Sequence, residues 1–245
     1  MAESVTMRDH FDLFSMEADA FESDVHVLIR EALNAALEHL SPKADADLAS
    51  LEDSMKTVTD DDYHEHLVDE HVGVMSQYGD LERFLRNIAL VALASRLAHT
   101  LLKMARTSEF LKPREGPYGA RGDSEFDRLW KEYAERFGLD FNTNAARIAF
   151  TEPMQKARNL IVHNGGEANR WIPATIQSLK KGKPPVLDTS FSKDYPQFVH
   201  GDGMDAEVRV SQEQLDEMCK AAIVLVRWVA GELDARDAAR SLQRE

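Results

Sequence analysis

The segment from Asp80 to Arg106, DLERFLRNIALVALASRLAHTLLKMAR, carries the strongest helical pattern in the chain. Its apolar side chains recur at spacings of three and four residues, which places them along one face of an α-helix. The predicted stripe consists of Leu81, Phe84, Leu85, Ile88, Val91, Ala92, Ser95, Ala98, His99 and Leu102. We expect this segment to be a core helix of a helical bundle.

The residues before this segment predict three more helices. An amphipathic pattern runs from Met16 to Leu40 and should end at Ser41-Pro42, because the residue before a proline avoids the helical conformation. A weaker helix is expected from Ala46 to Val58. A third, from Tyr63 to Gln77, follows three aspartates that suit a helix start and should be broken by Gly79.

The residues after this segment also favour helices, separated by polar loops. We expect a loop from Leu111 to Asp123, a helix from Ser124 to Phe137, a helix from Pro153 to His163, a short helix from Ala174 to Lys181 and a strand near Glu207 to Val210. The pattern Ser211-Gln212-Glu213-Gln214 resembles a capping box, and the final helix should run to about Asp234. The fold class is therefore all-α, with at most a short strand or hairpin.

Composition limits the classes of function. The net charge of −14 excludes a broad basic surface for wrapping a duplex, so any nucleic-acid contact must be local. The single cysteine, Cys219, excludes a disulfide within the chain and lies in an apolar stretch that indicates a buried thiol. The N-terminus lacks the features of a signal peptide, and the apolar run Ile88 to Ala94 is too short to cross a membrane. We expect a cytoplasmic protein with no membrane contact.

The stretch Arg158-Asn159-Leu160-Ile161-Val162-His163 places an arginine and a histidine at the end of a predicted helix. Helix geometry separates Arg158 and His163 by about 140° around the axis and about 7.5 Å along it, whereas Asn159 and His163 share a face. A histidine can move protons near neutral pH, and an arginine matches the oxygens of a phosphate. The pair suits phosphodiester chemistry without a metal ion or another cofactor.

This stretch, continued by Asn164-Gly165-Gly166, resembles the R-x4-6-H motif of the HEPN superfamily in its R-N-x-x-x-H form. The resemblance covers roughly Asp80 to Leu233 and implies a dimeric helical bundle over residues 61–240, preceded by a helical extension over residues 1–60. Many members are metal-independent endoribonucleases in toxin–antitoxin and antiviral defence systems, with an active site formed where two motif helices meet. The resemblance assigns catalysis to Arg158 and His163, with Asn159 and Asn164 in support.

The resemblance implies RNA as substrate, a homodimer, and an antitoxin or defence protein as a further partner. One departure concerns regulation: members that a nucleotidyltransferase modifies have tyrosine two residues after the histidine, where this chain has Gly165. Two alternatives stay open. One is a non-catalytic HEPN dimer module that binds a nucleotide or a partner protein. The other is a helical scaffold without chemistry, which would need Arg158 and His163 to be buried and paired.

Two weaker signals remain. The polar loops on either side of the motif offer six basic residues for RNA phosphates, although solvated loops are an equal alternative: Lys112, Arg114, Arg121, Lys180, Lys181 and Lys183. Asp62, His66 and Glu70 are spaced four apart on one predicted helix face, which fits a metal site, but a solvated polar face is the favoured interpretation.

Overall fold

Helices account for most of the residues that the computed structural model describes, namely 13–59, 61–107, 125–141, 144–145, 147, 151–172 and 186–242. The prediction of an all-α fold is confirmed. The α-helices are α1 (Leu13–Asp24), α2 (Ala32–Thr57), α3 (Asp61–Thr107), α4 (Glu125–Phe137), α5 (Glu152–Asn164), α6 (Ser190–Asp194) and α7 (Gln212–Leu242). A π-helical segment, Val25–Glu31, joins α1 to α2 without a break.

Among the described residues between α5 and α7, four short strands form two antiparallel pairs. Strand β1 (Arg170–Ile172) pairs with β2 (Val186–Asp188), and β3 (Val199–His200) pairs with β4 (Glu207–Val208). The strand expected near Glu207 is therefore present, although it is only two residues long. Single turns of 3-10 helix at Pro196–Phe198 and Gly203–Asp205 connect these elements.

The core surrounds the second half of α3, against which α1, α4, α5 and α7 pack. Helix α1 is tied antiparallel to α7 by Ser15 Oγ, which donates to Asp234 Oδ2 at 2.9 Å. It is tied to α3 by the ion pair between Asp24 and Arg96. The apolar face of the first helix is thus part of the same core as the helices beyond residue 61, while the division of the chain at residue 60 stays a prediction.

The structure buries a different face of α3 from the one that the sequence pattern indicated. The largest of the fully buried side chains are Leu90, Leu93, Leu97, Leu101 and Met104. Six members of the predicted stripe are exposed instead. They are Leu81, Phe84 and Ile88, by 40, 59 and 48%, and also Ala92, Ser95 and His99. The reason is that this half of α3 is apolar nearly all round, so its sequence offers more than one stripe, and the neighbouring helices select which one is covered.

The turn type of the π-helical segment follows from the apolar spacing. Phe21, Val25, Ile29 and Leu33 are all buried, at three successive intervals of four residues. On a regular α-helix each such interval would rotate the side chain by about 40° away from the first. The wider π turn compensates for this rotation and keeps the four side chains on the core.

The predicted helix end at Ser41-Pro42 is wrong, because Pro42 lies inside α2. The predicted helices from Met16 and from Ala46 are therefore one continuous rod. A proline inside a helix removes one hydrogen bond and costs about 3 kcal/mol. The cost is offset by a half-buried stripe that packs along α3: Ala44, Leu48, Leu51 and Met55.

The predicted break at Gly79 is also wrong, since α3 runs without interruption from Asp61 to Thr107. An interior glycine costs only about 1 kcal/mol relative to alanine, and contacts with α2 outweigh that amount. Tyr78 Oη, beside the glycine, donates to Asp47 Oδ2 on α2 at 2.6 Å. Helices α2 and α3 thus form a long antiparallel hairpin whose outer part is residues 41–80, hereafter the outer hairpin.

The boundaries of α4 and α5 and the start of α7 agree with the sequence. Helix α4 ends at Phe137 as expected, and Ser211 and Gln214 form the predicted reciprocal cap of α7, with bonds of 2.9 and 3.1 Å. Helix α7 continues to Leu242 rather than ending near Asp234. The expected loop from Leu111 and the expected helix from Ala174 to Lys181 lie outside the described residues.

By length and composition, α3 would suffice to cross a bilayer between Tyr63 and Thr107, but 56% of its apolar window is buried inside the protein. A helix covered by its own bundle has this pattern, and the buried leucines described above account for it. Cys219 is buried on α7 as predicted, and burial raises the pKa of its thiol to about 12. The thiol therefore does not act as a nucleophile near neutral pH.

Candidate functional site

The motif helix α5 packs on the core through one face and leaves the motif side chains toward its other side. Met154 and Ala157 are fully buried, and Leu160 and Ile161 are partly buried against the core. Spacings of three and four residues place these positions on the inner side of the helix. Arg158 and Asn159 are half-buried, and Val162 and His163 are exposed.

Arg158 is held by its neighbour in sequence. Its Nη1 donates to Asn159 Oδ1 at 2.9 Å, and no carboxylate in the described part of the chain pairs with it. An asparagine oxygen orients a guanidinium without neutralising it, so Arg158 keeps its positive charge and most of its five donors for another group. Asn159 thus holds the guanidinium of Arg158 in place.

His163 lies in the last turn of α5 and is exposed. The helix then ends as predicted, at Gly165 with φ of 64°, a left-handed conformation that favours glycine. His163 therefore has solvent on one side and a fixed helix end on the other. Asn164 closes the helix, but its side chain lies outside the described part of the structure.

Strand β4 fixes the turn that follows His163. Gly166 accepts a hydrogen bond from the backbone nitrogen of Val208 at 2.7 Å, and Glu167 forms a bridge with Glu207. Glu207 in turn pairs with Arg83 on α3. The C-terminal end of the motif helix is thus attached to both α3 and the β3–β4 pair, which sets the position of His163.

Asn87 on α3 lies at the same end of the motif helix and was not identified from the sequence. A Cβ on Gly166 would lie 4.0 Å from Asn87 Nδ2, and Asn87 Oδ1 is buried without a hydrogen-bond partner among the described residues. Such an orphaned amide oxygen is costly unless a ligand or water satisfies it. The signal in the sequence was a polar residue within the most apolar helix.

Lys156 is the other cation on α5, and it is engaged. It lies 3.1 Å from Tyr195 Oη and 3.3 Å from Glu152 Oε1. Burial lowers the pKa of Lys156, but the hydrogen bond that Lys156 donates to Tyr195 and the pair with Glu152 outweigh burial, so the pKa is raised overall. Lys156 therefore stays protonated and is not a candidate base.

The other predicted site residues fall outside the site or outside the described residues. Lys112, Arg114, Arg121, Lys180, Lys181 and Lys183 all lie outside the described residues, so their part in RNA binding stays a prediction. Within the described ranges, no group of three or more histidine, cysteine, aspartate or glutamate side chains is placed to hold a metal ion. His71, next to the proposed metal-ligand face, instead lies 3.8 Å from Glu52 on α2.

Arg158, Asn159, His163 and the neighbouring Asn87 therefore form a candidate site at the C-terminal end of α5. It combines a cation, a titratable imidazole and amides, without an adjacent carboxylate cluster among the described residues. Comparison with known proteins adds nothing to this assignment, because no family model, curated protein or solved structure matches the chain.

Proposed function

We propose that the chain is a metal-independent endoribonuclease of the HEPN type, which acts as a homodimer in the cytoplasm as a toxin or antiphage defence component. The observation that carries the proposal is the state of the two motif side chains. Arg158 is oriented by Asn159 and not neutralised, and His163 is exposed in the last turn of the same helix. A purely structural pair would be expected to be buried and bonded to each other or to carboxylates.

The reaction requires a base and an acid. The base removes the proton of a ribose 2′-hydroxyl, whose oxygen attacks the adjacent phosphorus, while the acid gives a proton to the departing 5′-oxygen. The products are a 2′,3′-cyclic phosphate and a 5′-hydroxyl. His163 is the group that moves protons, and Arg158 stabilises the charge on the phosphate oxygens in the transition state.

One chain supplies one His163, so two chains are needed if histidines serve as both base and acid. An exposed apolar surface favours such an assembly: Leu81, Phe84 and Ile88 on α3 are 40, 59 and 48% exposed. Val162, beside His163 on α5, is 47% exposed. Exposed apolar side chains grouped on one helix face are typical of protein–protein contacts, and a symmetric dimer would pair this surface with itself.

The central test is cleavage of a fluorescent RNA by the full chain and by His163→Ala, with and without EDTA. The substitution is expected to lower the rate by about 10² to 10⁴, the usual contribution of a positioned proton-transfer group. Arg158→Ala should also lose activity, with partial recovery in Arg158→Lys. His39→Ala, which removes an exposed histidine from α2, is the matched control and should leave the rate unchanged.

Two outcomes would contradict the proposal. If the folded wild-type chain cleaves no RNA, the non-catalytic module that binds a nucleotide or a partner protein becomes the better assignment. If EDTA abolishes cleavage and Mn²⁺ or Zn²⁺ restores it, the chemistry depends on a metal ion. In cells, overexpression of the wild type should slow growth, and His163→Ala should not.

The assembly has its own test. Phe84→Glu should convert a dimer to a monomer by light scattering and should reduce cleavage with it, because a buried charge without a partner opposes the contact. Val72→Glu is the matched control: Val72 is 59% exposed, like Phe84, but lies in the outer hairpin. A wild type that is monomeric at micromolar concentration would exclude a stable shared site.

A further inference from the structure

An open cleft of about 360 Å³ lies between α3, the β3–β4 pair and the start of α7. Polar and basic side chains line most of it: Arg86, Gln197, His200, Arg209, Gln212 and Gln214. Three of these residues are basic: Arg86 lies on α3, His200 on β3 and Arg209 in the segment that joins β4 to α7. The chain as a whole has a net charge of −14, whereas this concave surface carries two guanidinium groups and an imidazole.

The guanidinium groups keep donors for a ligand. Arg86 uses Nη2 for Glu82 Oε2 at 2.9 Å, which engages one of its five N–H donors. Arg209 is exposed, and no carboxylate of the described residues pairs with its guanidinium. Its backbone nitrogen donates to Phe198 O at 2.9 Å, so the base of the side chain is fixed while its end is not engaged.

The start of α7 adds a further polar contribution to the cleft. The partial positive charge at the N-terminus of this long helix, which begins at Gln212, favours an anion. Gln214 is fixed by donating from Nε2 to Gln197 O at 2.6 Å. This bond joins the start of α7 to the 3-10 turn at Pro196–Phe198, so it connects two walls of the cleft.

The cleft and the motif helix share two elements. Arg86 is next in sequence to Asn87, which lies beside Gly166 after the motif. His200 and Glu207 lie opposite each other in the β3–β4 pair, and the backbone of Glu207 forms a β-bridge with that of Glu167. Two strand spacings, about 10 Å, thus separate His200 from the residues that follow His163. A short single-stranded nucleic acid can span that distance.

We propose that this cleft binds a phosphate group, with Arg86 and Arg209 as its principal ligands and His200 at its edge. Resting on the proposed function, the source is a non-reacting phosphate of the RNA backbone near the bond that His163 and Arg158 cleave. This local site reconciles RNA binding with the acidic chain, because phosphate contacts need only a few well-placed cations. A free nucleotide would offer the same phosphate chemistry.

The test uses the full chain and a fluorescent 2′-O-methyl oligoribonucleotide, which lacks the attacking hydroxyl and so reports binding without cleavage. Arg209→Ala should weaken binding about tenfold, the effect of losing one charge-assisted hydrogen bond. The slope of log K against log salt should fall by about 0.7, as for one phosphate contact on a single strand. Lys220→Ala, an exposed cation further along α7, is the control and should bind as the wild type.

Unchanged affinity and salt slope in Arg209→Ala would overturn the assignment, as would an equal loss in Lys220→Ala. AMP titrated by calorimetry forms a separate arm: loss of AMP binding alone in Arg209→Ala would overturn the RNA source and leave a nucleotide site. The failures are distinguishable from those of the proposed function. If Arg209→Ala loses RNA binding but the wild type never cleaves RNA, the cleft is supported and the nuclease is contradicted. If cleavage depends on His163 but Arg209→Ala binds RNA like the wild type, the nuclease is supported and the cleft is contradicted.

Discussion

The two halves of α3 belong to one helix but have opposite surroundings. From Ala89 to Ala105, four leucines are completely buried between α1, α4, α5 and α7, namely Leu90, Leu93, Leu97 and Leu101, and Leu102 is partly buried. From Tyr63 to Tyr78, Leu67 is the one buried side chain, and Val68, Val72 and Met75 are 41, 59 and 55% exposed. Apolar residues at helical spacing occur in both halves, so the spacing by itself does not decide burial.

The outer hairpin also differs from the bundle in its charge. Residues 41–80, the outer hairpin, contain eleven acidic and two basic side chains, which give −9 of the chain's net charge of −14. The outer hairpin therefore depends on contacts between two helices and on solvation, whereas the bundle depends on apolar burial. One continuous helix, α3, can therefore contain a highly stable part in the bundle and a weakly stable part in the outer hairpin.

The largest difference is expected from removing apolar volume in each half. Leu97→Ala should destabilise the protein by about 2–5 kcal/mol, because it removes a completely buried side chain and leaves a cavity. Val72→Ala should change the free energy of unfolding by less than about 0.5 kcal/mol, since Val72 is 59% exposed. Urea unfolding followed by circular dichroism measures both. Equal effects would show that the outer hairpin is covered in solution.

Thiol reactivity should separate the two regions next. Burial raises the pKa of Cys219 to about 12 from 9.0, so at pH 8 its thiolate fraction is about a thousandfold below that of an ordinary cysteine. A cysteine introduced at exposed Ser76, in a Cys219→Ser chain, should react with a disulfide reagent at the ordinary rate. Because the pKa of the thiol is higher in the folded than in the unfolded chain, the unfolded chain loses this proton first. The free energy of unfolding should therefore decrease as the pH increases from about 9 toward 12.

Fast labelling of Cys219 under native conditions would mean that the bundle opens readily. The measurement is the absorbance of the released thiolate as a function of time, with the unfolded chain as the reference. The pH arm is followed by the urea midpoint of the wild type and of Cys219→Ser between pH 8 and 10, where the wild type should lose more stability.

A smaller difference is expected for the same substitution at two tyrosines. Tyr133 is buried in the bundle, and its Oη donates to the Leu101 carbonyl at 2.7 Å, so Tyr133→Phe should cost about 1 kcal/mol. Tyr78 in the outer hairpin donates to Asp47 at 2.6 Å in a solvated position, where water replaces the lost partner. Tyr78→Phe should therefore have a clearly smaller effect. A larger loss at Tyr78 than at Tyr133 would contradict the proposed contrast in burial.

The smallest effect has the opposite sign. Gly79→Ala should stabilise the protein by about 0.5–1 kcal/mol, because the position is helical and an added Cβ meets nothing within 4 Å. Gly165→Ala is the contrasting control, since φ is 64° at that position and alanine would be strained. Thermal unfolding gives both values. A destabilising Gly79→Ala would indicate that the helix bends or binds a partner at this position.

The sequence predicted most of the local structure and the motif, but it did not predict their surroundings. Helices α4 and α5, the left-handed stop at Gly165 and the cap formed by Ser211 and Gln214 follow from residues close together in the chain. The continuity through Pro42 and Gly79 could not be predicted, because it depends on contacts between α2 and α3, whose partners are about 30 residues apart, as in the bond between Tyr78 and Asp47. Asn87 and the cleft around Arg209 were missed for the same reason, since their neighbours are distant in sequence.

By itself, the sequence determined the helical class, the acidic surface, the buried thiol at Cys219 and the placement of Arg158 and His163 at one helix end. These properties follow from composition and from interactions within a few residues, such as periodicity and caps. The tertiary structure decided which face of α3 is buried and that Arg86, His200 and Arg209 line one cleft. The physical reason is that an apolar helix face or a guanidinium is compatible with several partners, and only the packing of distant segments selects one.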